Sequence, residues 1–158
     1  MTKQSAYIET TVIGHLTGRI LDDPIIAGRQ RVTRLWWPDA LARYDLFVST
    51  IVADECSAGN ADAAKERLEI VNSLVFLPAS PLIDELAAEL IGKHAVPATE
   101  PRDALHIAVA AVNGIEYLVS WNFKHIVNPN TRARIERVCE GCGYAPPMIC
   151  TPDELLES

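Results

Sequence analysis

The chain has 158 residues, with 14 Lys and Arg against 21 Asp and Glu, a formal net charge of −7 at pH 7, and 49% hydrophobic residues. A chain of this length can bury roughly 70% of the surface its unfolded form exposes, so it needs neither a disulfide framework nor a structural metal to fold. No apolar run approaches the ~18 residues of a membrane span, "MTKQSAY" has no signal-peptide core, and cysteines at 56, 139, 142 and 150 form no secreted scaffold, so the expectation is a cytoplasmic protein with reduced thiols and no membrane partner.

In chain order, "SAYIE" reads as a short buried strand and "TTVIGHLTG" as a turn and helix ended by Gly18. A long helical stretch from Asp22 to Tyr44 follows, opened by a capping aspartate and Pro24, and kinked or split at Pro38. Trp36 and Trp37, adjacent on that helix, point about 100° apart, one to the core and one to an interface. "DLFVS" is a strand, "TIVADECSAG" a helix capped by Ser49 or Thr50, and Ala61 to Asn72 an amphipathic helix. "LVFLPA" is a strand cut off by Pro78, and "SPLIDELAAELIGKHA" a helix with a serine–proline start. In "PRDALHIAVAAVNG" every residue from Ala104 to Val112 except His106 is apolar, which predicts a helix buried on most sides. "IEYLVSWN" is a strand, "FKHIVNP" a turn, "NTRARIERVCEGCG" a capped helix, "PPMICT" a last strand and "PDELLES" a terminal helical turn. Without repeats or linkers, this alternation predicts one α/β domain over residues 1–158, a three-layer α/β/α sandwich with a mainly parallel central sheet.

Charge is unevenly spread over that plan. Residues 50–120 carry eleven acids against four bases, residues 1–49 five against six, and residues 121–158 five against four. Broad attraction to nucleic acid is thereby excluded, and binding would need a local basic patch, a metal ion or a partner. Arg29, Arg31 and Arg34 form one such group: RNA phosphates, an acidic partner protein or plain solvent are its alternatives.

Four polar residues fall where an open parallel sheet presents its chemistry, at the carboxyl ends of strands or the helix turns that follow. Glu9 ends the first strand, Glu55 lies one to two turns into the helix after the second, Asp103 opens the apolar helix, and Asn122 follows the fourth strand. Singly, each has an ordinary use as a cap or a solvated side chain. As a set, three carboxylates and an amide suit a hard cation such as Mg²⁺ or Mn²⁺, and phosphodiester hydrolysis is the matching reaction class. Thr10 and Thr11 either orient Glu9 or cap the first helix. His106, on the same helical face as Asp103, either contacts that face's ligands or is a buried, hydrogen-bonded structural residue. "CEGCG" with Cys150 lacks a fourth zinc ligand nearby.

"YIETTVIGHLTG", "VSTIVADE", "DALHIAVAA" and "LVSWNFKHIVN", in that order and covering nearly the whole chain, resemble the motifs of PIN-domain proteins, VapC-type toxins of bacterial toxin–antitoxin pairs among them. The subgroup resembled is the one with "YIET" and "SWNFKHI" blocks. The resemblance implies a PIN-like fold, a metal-dependent endoribonuclease using Mg²⁺ or Mn²⁺ on RNA, a cognate antitoxin and a homodimer. It sets Glu9, Glu55, Asp103 and Asn122 at the four ligand and catalytic positions. The general pattern has aspartate at the first and usually at the fourth, so this site carries −3 rather than −4 and should bind metal less tightly. A PIN-fold module of weak or lost catalysis, working by protein or RNA binding, is the alternative.

Overall fold

The computed structural model describes residues 2–156. Strands β1 (Gln4–Ile8), β2 (Tyr44–Val48), β3 (Val75–Phe76), β4 (Tyr117–Val119) and β5 (Met148–Cys150) form one sheet in the order β3-β2-β1-β4-β5, with every pairing parallel. The helices are α1 (Thr10–Leu16), α2 (Pro24–Arg43), α3 (Thr50–Cys56), α4 (Ala61–Val71), α5 (Pro81–Gly92), α6 (Pro101–Val112), α7 (Pro129–Gly141) and α8 (Pro152–Leu155). From β1 the chain grows one way through β2 to β3 and then the other way through β4 to β5. Right-handed crossovers therefore place α1 to α4 on one face and α5 to α7 on the other. Helix contacts agree: α1 packs on α2, α3 and α4, while α5 packs on α6 and α7.

This is the expected parallel α/β sandwich, and it fixes where chemistry can sit. The strand order reverses between β1 and β4, which opens a crevice beyond their carboxyl ends. Ala6, Tyr7 and Ile8 of the central β1 are fully buried, as are Ala104, His106, Ile107, Ala108 and Ala110 of α6, so the apolar "DALHIAVAA" run is indeed covered on most sides.

Three readings change in detail. Pro38 does not split its helix: α2 runs unbroken for 20 residues. The proline lacks only one amide, and burial of Ala27, Thr33, Trp36 and Ala40 along the helix offsets that loss. Trp36 is fully buried and Trp37 half-buried, their rings edge to face at 6.1 Å. The third strand shrinks to two exposed edge residues, and the fourth stops at Val119: the Ser120 amide still donates to Cys150 of β5, and Trp121 and Asn122 leave the ladder.

Cys56, Cys139 and Cys150 are buried and Cys142 is exposed; none is in a disulfide. Burial pushes the Cys56 and Cys139 thiols up to about 11 and Cys150 to about 12. Among the described residues, no helix is long and apolar enough to cross a membrane.

Two measurements follow. Trp36→Ala should lose about 3–5 kcal/mol in denaturant unfolding. Its neighbour Leu35, 68% exposed, should tolerate alanine within about 0.5 kcal/mol. A thiol reagent at neutral pH should modify Cys142 alone in the native protein and all four cysteines once it is unfolded.

Candidate active site

Glu9 is the N-cap of α1, one residue beyond β1, and its backbone amide still donates to Val119 of β4 at 3.1 Å. The side chain is 3% exposed, so its charge must be met from within. Its Oε1 accepts from Thr11 N at 3.2 Å, from the Thr11 hydroxyl, and from Ser120 Oγ at 2.7 Å. Oε2 has no protein donor among the described residues. Ser120 Oγ also accepts from Asn122 N at 2.9 Å, and Thr11 Oγ1 accepts from Trp121 N at 2.8 Å. The first carboxylate thus fixes the loop that carries the fourth position.

Asp103 lies in the first turn of α6, where the helix dipole favours a negative charge. Burial nevertheless raises its pKa, the Glu9 charge adds to the rise, and a hydrogen bond from the Asn122 side chain with the fields of His106 and His125 pulls against it. The Asn122 Oδ1 accepts from His125 N at 3.1 Å, which leaves its amide nitrogen as the donor to Asp103.

Glu55 is half-buried on α3. Its Oε1 accepts from Thr10 Oγ1 at 2.8 Å and from His106 Nε2 at 2.6 Å. Burial pushes its pKa up, but the His106 and Thr10 hydrogen bonds and the Arg102 charge outweigh this and lower it overall. A carboxylate only accepts, so Nε2 of His106 donates. Nδ1 then accepts from Tyr7 OH at 2.7 Å, which accepts in turn from Ser49 Oγ at 2.7 Å. A buried chain Ser49–Tyr7–His106–Glu55 therefore ties the ends of β1 and β2 to α6 and α3.

A PIN domain model matches residues 24–123 of the chain. The protein belongs to the PIN domain family. The matched stretch contains Glu55, Asp103 and Asn122 and begins after Glu9. The PIN fold here is similar to a crystal structure of VapBC2 from Rickettsia felis bound to a DNA fragment from their promoter, with a TM-score of 0.58 over 94% of this chain and 98% of that one. At 14% identity, the likeness concerns the fold. No curated protein matches the chain in sequence.

The sheet edge of this PIN domain brings the four sequence-predicted residues to one side, in two clusters: Glu9, Asp103 and Asn122 around Ser120, and Glu55 beside His106 and Thr10. Among the described residues, no three His, Cys, Asp or Glu side chains stand close enough to chelate an ion. A Mg²⁺-type ion does not require this, because it keeps several waters and binds through one or two carboxylates plus substrate phosphate. The donor set fits that mode. Glu9 and Glu55 each spend one oxygen on protein donors and leave the other without one, and Asp103 feels the Glu9 charge.

The arginine trio divides by role. Arg34 is structural, its guanidinium donating to the carbonyls of His15, Thr17 and Gly18 at 2.7–3.1 Å and closing the end of α1. Arg31 is exposed, and Arg29 lies over aromatic rings of the Trp121 loop. Sequence reading passed over Ser120 and Tyr7 and took Ser49 only as a helix cap, whereas its hydroxyl makes no capping bond and meets Tyr7 instead. Only Tyr7 carried a signal, since a tyrosine inside a buried strand needs a partner for its hydroxyl.

Asp103→Asn should raise stability at neutral pH by about 0.5–2 kcal/mol with a chelator present. The sign follows from linkage. An acid whose folded pKa lies above its unfolded one holds more protons when folded, so the wild type loses stability as pH rises through that interval. The advantage of the variant should therefore disappear on acidification, as thermal melts across pH would show.

Proposed function

We propose that this PIN domain is a metal-dependent endoribonuclease that hydrolyses RNA phosphodiester bonds, the toxin of a type II toxin–antitoxin pair. The observation that carries this reading is the buried pair of acids Glu9 and Asp103 at the switch point of the sheet, neither of which has a Lys or Arg ion pair among the described residues. Glu9, Glu55 and Asp103 would hold Mg²⁺ or Mn²⁺, with Asn122 at the edge of the shell. The ion, when bound, acidifies water and neutralises charge developing on the phosphodiester. Thr11 and Ser120 hold Glu9, Thr10 and His106 hold Glu55, and the Asn122 amide steadies Asp103 while adding no charge. The VapBC neighbour supports an antitoxin partner, and a second copy of the chain is the expected oligomer.

The neutral Asn122 and the lack of a chelating trio among the described residues favour a second reading, a PIN module that binds RNA or protein without cutting. One assay separates the two. Purified protein with Mn²⁺ should cleave single-stranded RNA, and Asp103→Asn should be slower by about 100-fold or more. Equal cleavage by both proteins, or by neither, overturns the nuclease reading. A small adjacent reading frame encoding a DNA-binding protein is the expected genetic context.

A further inference from the structure

The loop after β4 continues from Asn122 straight into an unusual aromatic cluster. Trp121 is buried, and its Nε1 donates to Thr33 Oγ1 of α2 at 2.8 Å. Thr33 lies one turn after Arg29 on the same helical face and donates to the Arg29 carbonyl at 2.6 Å. That placement lays the Arg29 guanidinium 4.6 Å from the centroid of Phe123 and 5.8 Å from that of Trp121. The two rings are 6.0 Å apart, and His15 stands 6.0 Å from Trp121 on the other helix. Among the described residues, Arg29 has no carboxylate partner. Phe123 remains 42% exposed, whereas Trp121 is buried and Arg29 and His15 are half-buried.

A phenyl ring left 42% exposed beneath a half-buried guanidinium that has no carboxylate partner among the described residues is only partly explained by folding. Trp121 already anchors the loop, and Phe123 adds little buried area. What the pair does offer is a guanidinium stacked over one face of a ring that stays partly exposed, a stack that a nucleobase can extend and whose charge attracts its phosphate. Phe123 directly follows Asn122, whose side chain bonds Asp103, so the platform lies within a nucleotide's length of the carboxylates.

We propose that Phe123 and Arg29 form a base-stacking subsite that seats one unpaired nucleotide of single-stranded RNA beside the Glu9–Asp103 cleft. This rests on the ribonuclease reading and adds to it a residue that sets register. Its recognition is sequence-tolerant, because every base has a π-face.

The test is a binding cycle by fluorescence anisotropy, using a labelled 12-nucleotide single-stranded RNA and a set of the same RNA carrying one abasic nucleotide at successive positions. Phe123→Ala and Phe123→Trp are compared with the wild type, with thermal melts confirming that each folds. Phe123→Ala should bind the intact RNA roughly 5- to 150-fold more weakly. Phe123→Trp should restore binding, and at one abasic position the alanine variant and the wild type should bind alike. Arg29→Ala should weaken binding and reduce its salt dependence. Equal weakening of intact and every abasic RNA, or no weakening, overturns the subsite. Loss of affinity for a protein partner with RNA affinity unchanged overturns it too. Cleavage that still depends on Asp103, in the absence of coupling at Phe123, sinks this inference alone; wild-type protein that neither binds nor cuts RNA sinks the ribonuclease reading with it.

Discussion

A carboxylate buried at the end of the central strand is the constraint on which the rest of this PIN domain turns. Leaving Glu9 ionised in an apolar interior without partners would cost several kcal/mol. The chain meets that cost with Thr11 from α1 and Ser120 from the loop after β4. The same two residues hold the amides of Trp121 and Asn122. One charge therefore sets the path of the chain on both sides of the crevice. Asn122 reaches Asp103 because Glu9 has already fixed the loop it stands on.

A second polar system supports the first from beneath. Ser49, Tyr7, His106 and Glu55 link three layers through hydrogen bonds of 2.6–2.7 Å. With each donor given an acceptor, the chain is satisfied from end to end, which is the condition under which a buried network rigidifies rather than destabilises. It keeps Glu55 facing the crevice from α3, a helix of only seven residues.

Much of this was legible in the residues. The alternation of short apolar runs with capped helices predicts the parallel sheet, and the all-apolar run around His106 predicts the covered helix α6. Glu9 and Asn122 could be placed at strand ends, and Glu55 and Asp103 in the helices that follow, by counting alone. What the pattern could not reveal were links between residues 99 or 111 apart, such as Tyr7 to His106 and Ser120 to Glu9, because a serine or tyrosine in a strand has the same local signature whether or not its hydroxyl is used. Pro38 misled for a related reason: local propensity argues for a break, but a long helix with a buried face retains its remaining hydrogen bonds. The arginine trio looked uniform in sequence, yet its members were separated by what lies around them: a helix end for Arg34, two rings for Arg29.

The choices of glutamate at position 9 and asparagine at position 122 are physically coupled rather than independent. Glu9 reaches one methylene further than aspartate, which lets its Oε1 meet Ser120 across the strand gap while Oε2 stays without a protein donor. With that oxygen engaged, a fourth carboxylate at position 122 would place another negative charge beside an Asp103 already strained by burial and by Glu9. An amide there donates to Asp103 instead of repelling it. Glu9 and Asn122 thus form one arrangement, in which the Thr11 and Ser120 donors compensate the Glu9 charge and the Asn122 amide compensates that of Asp103.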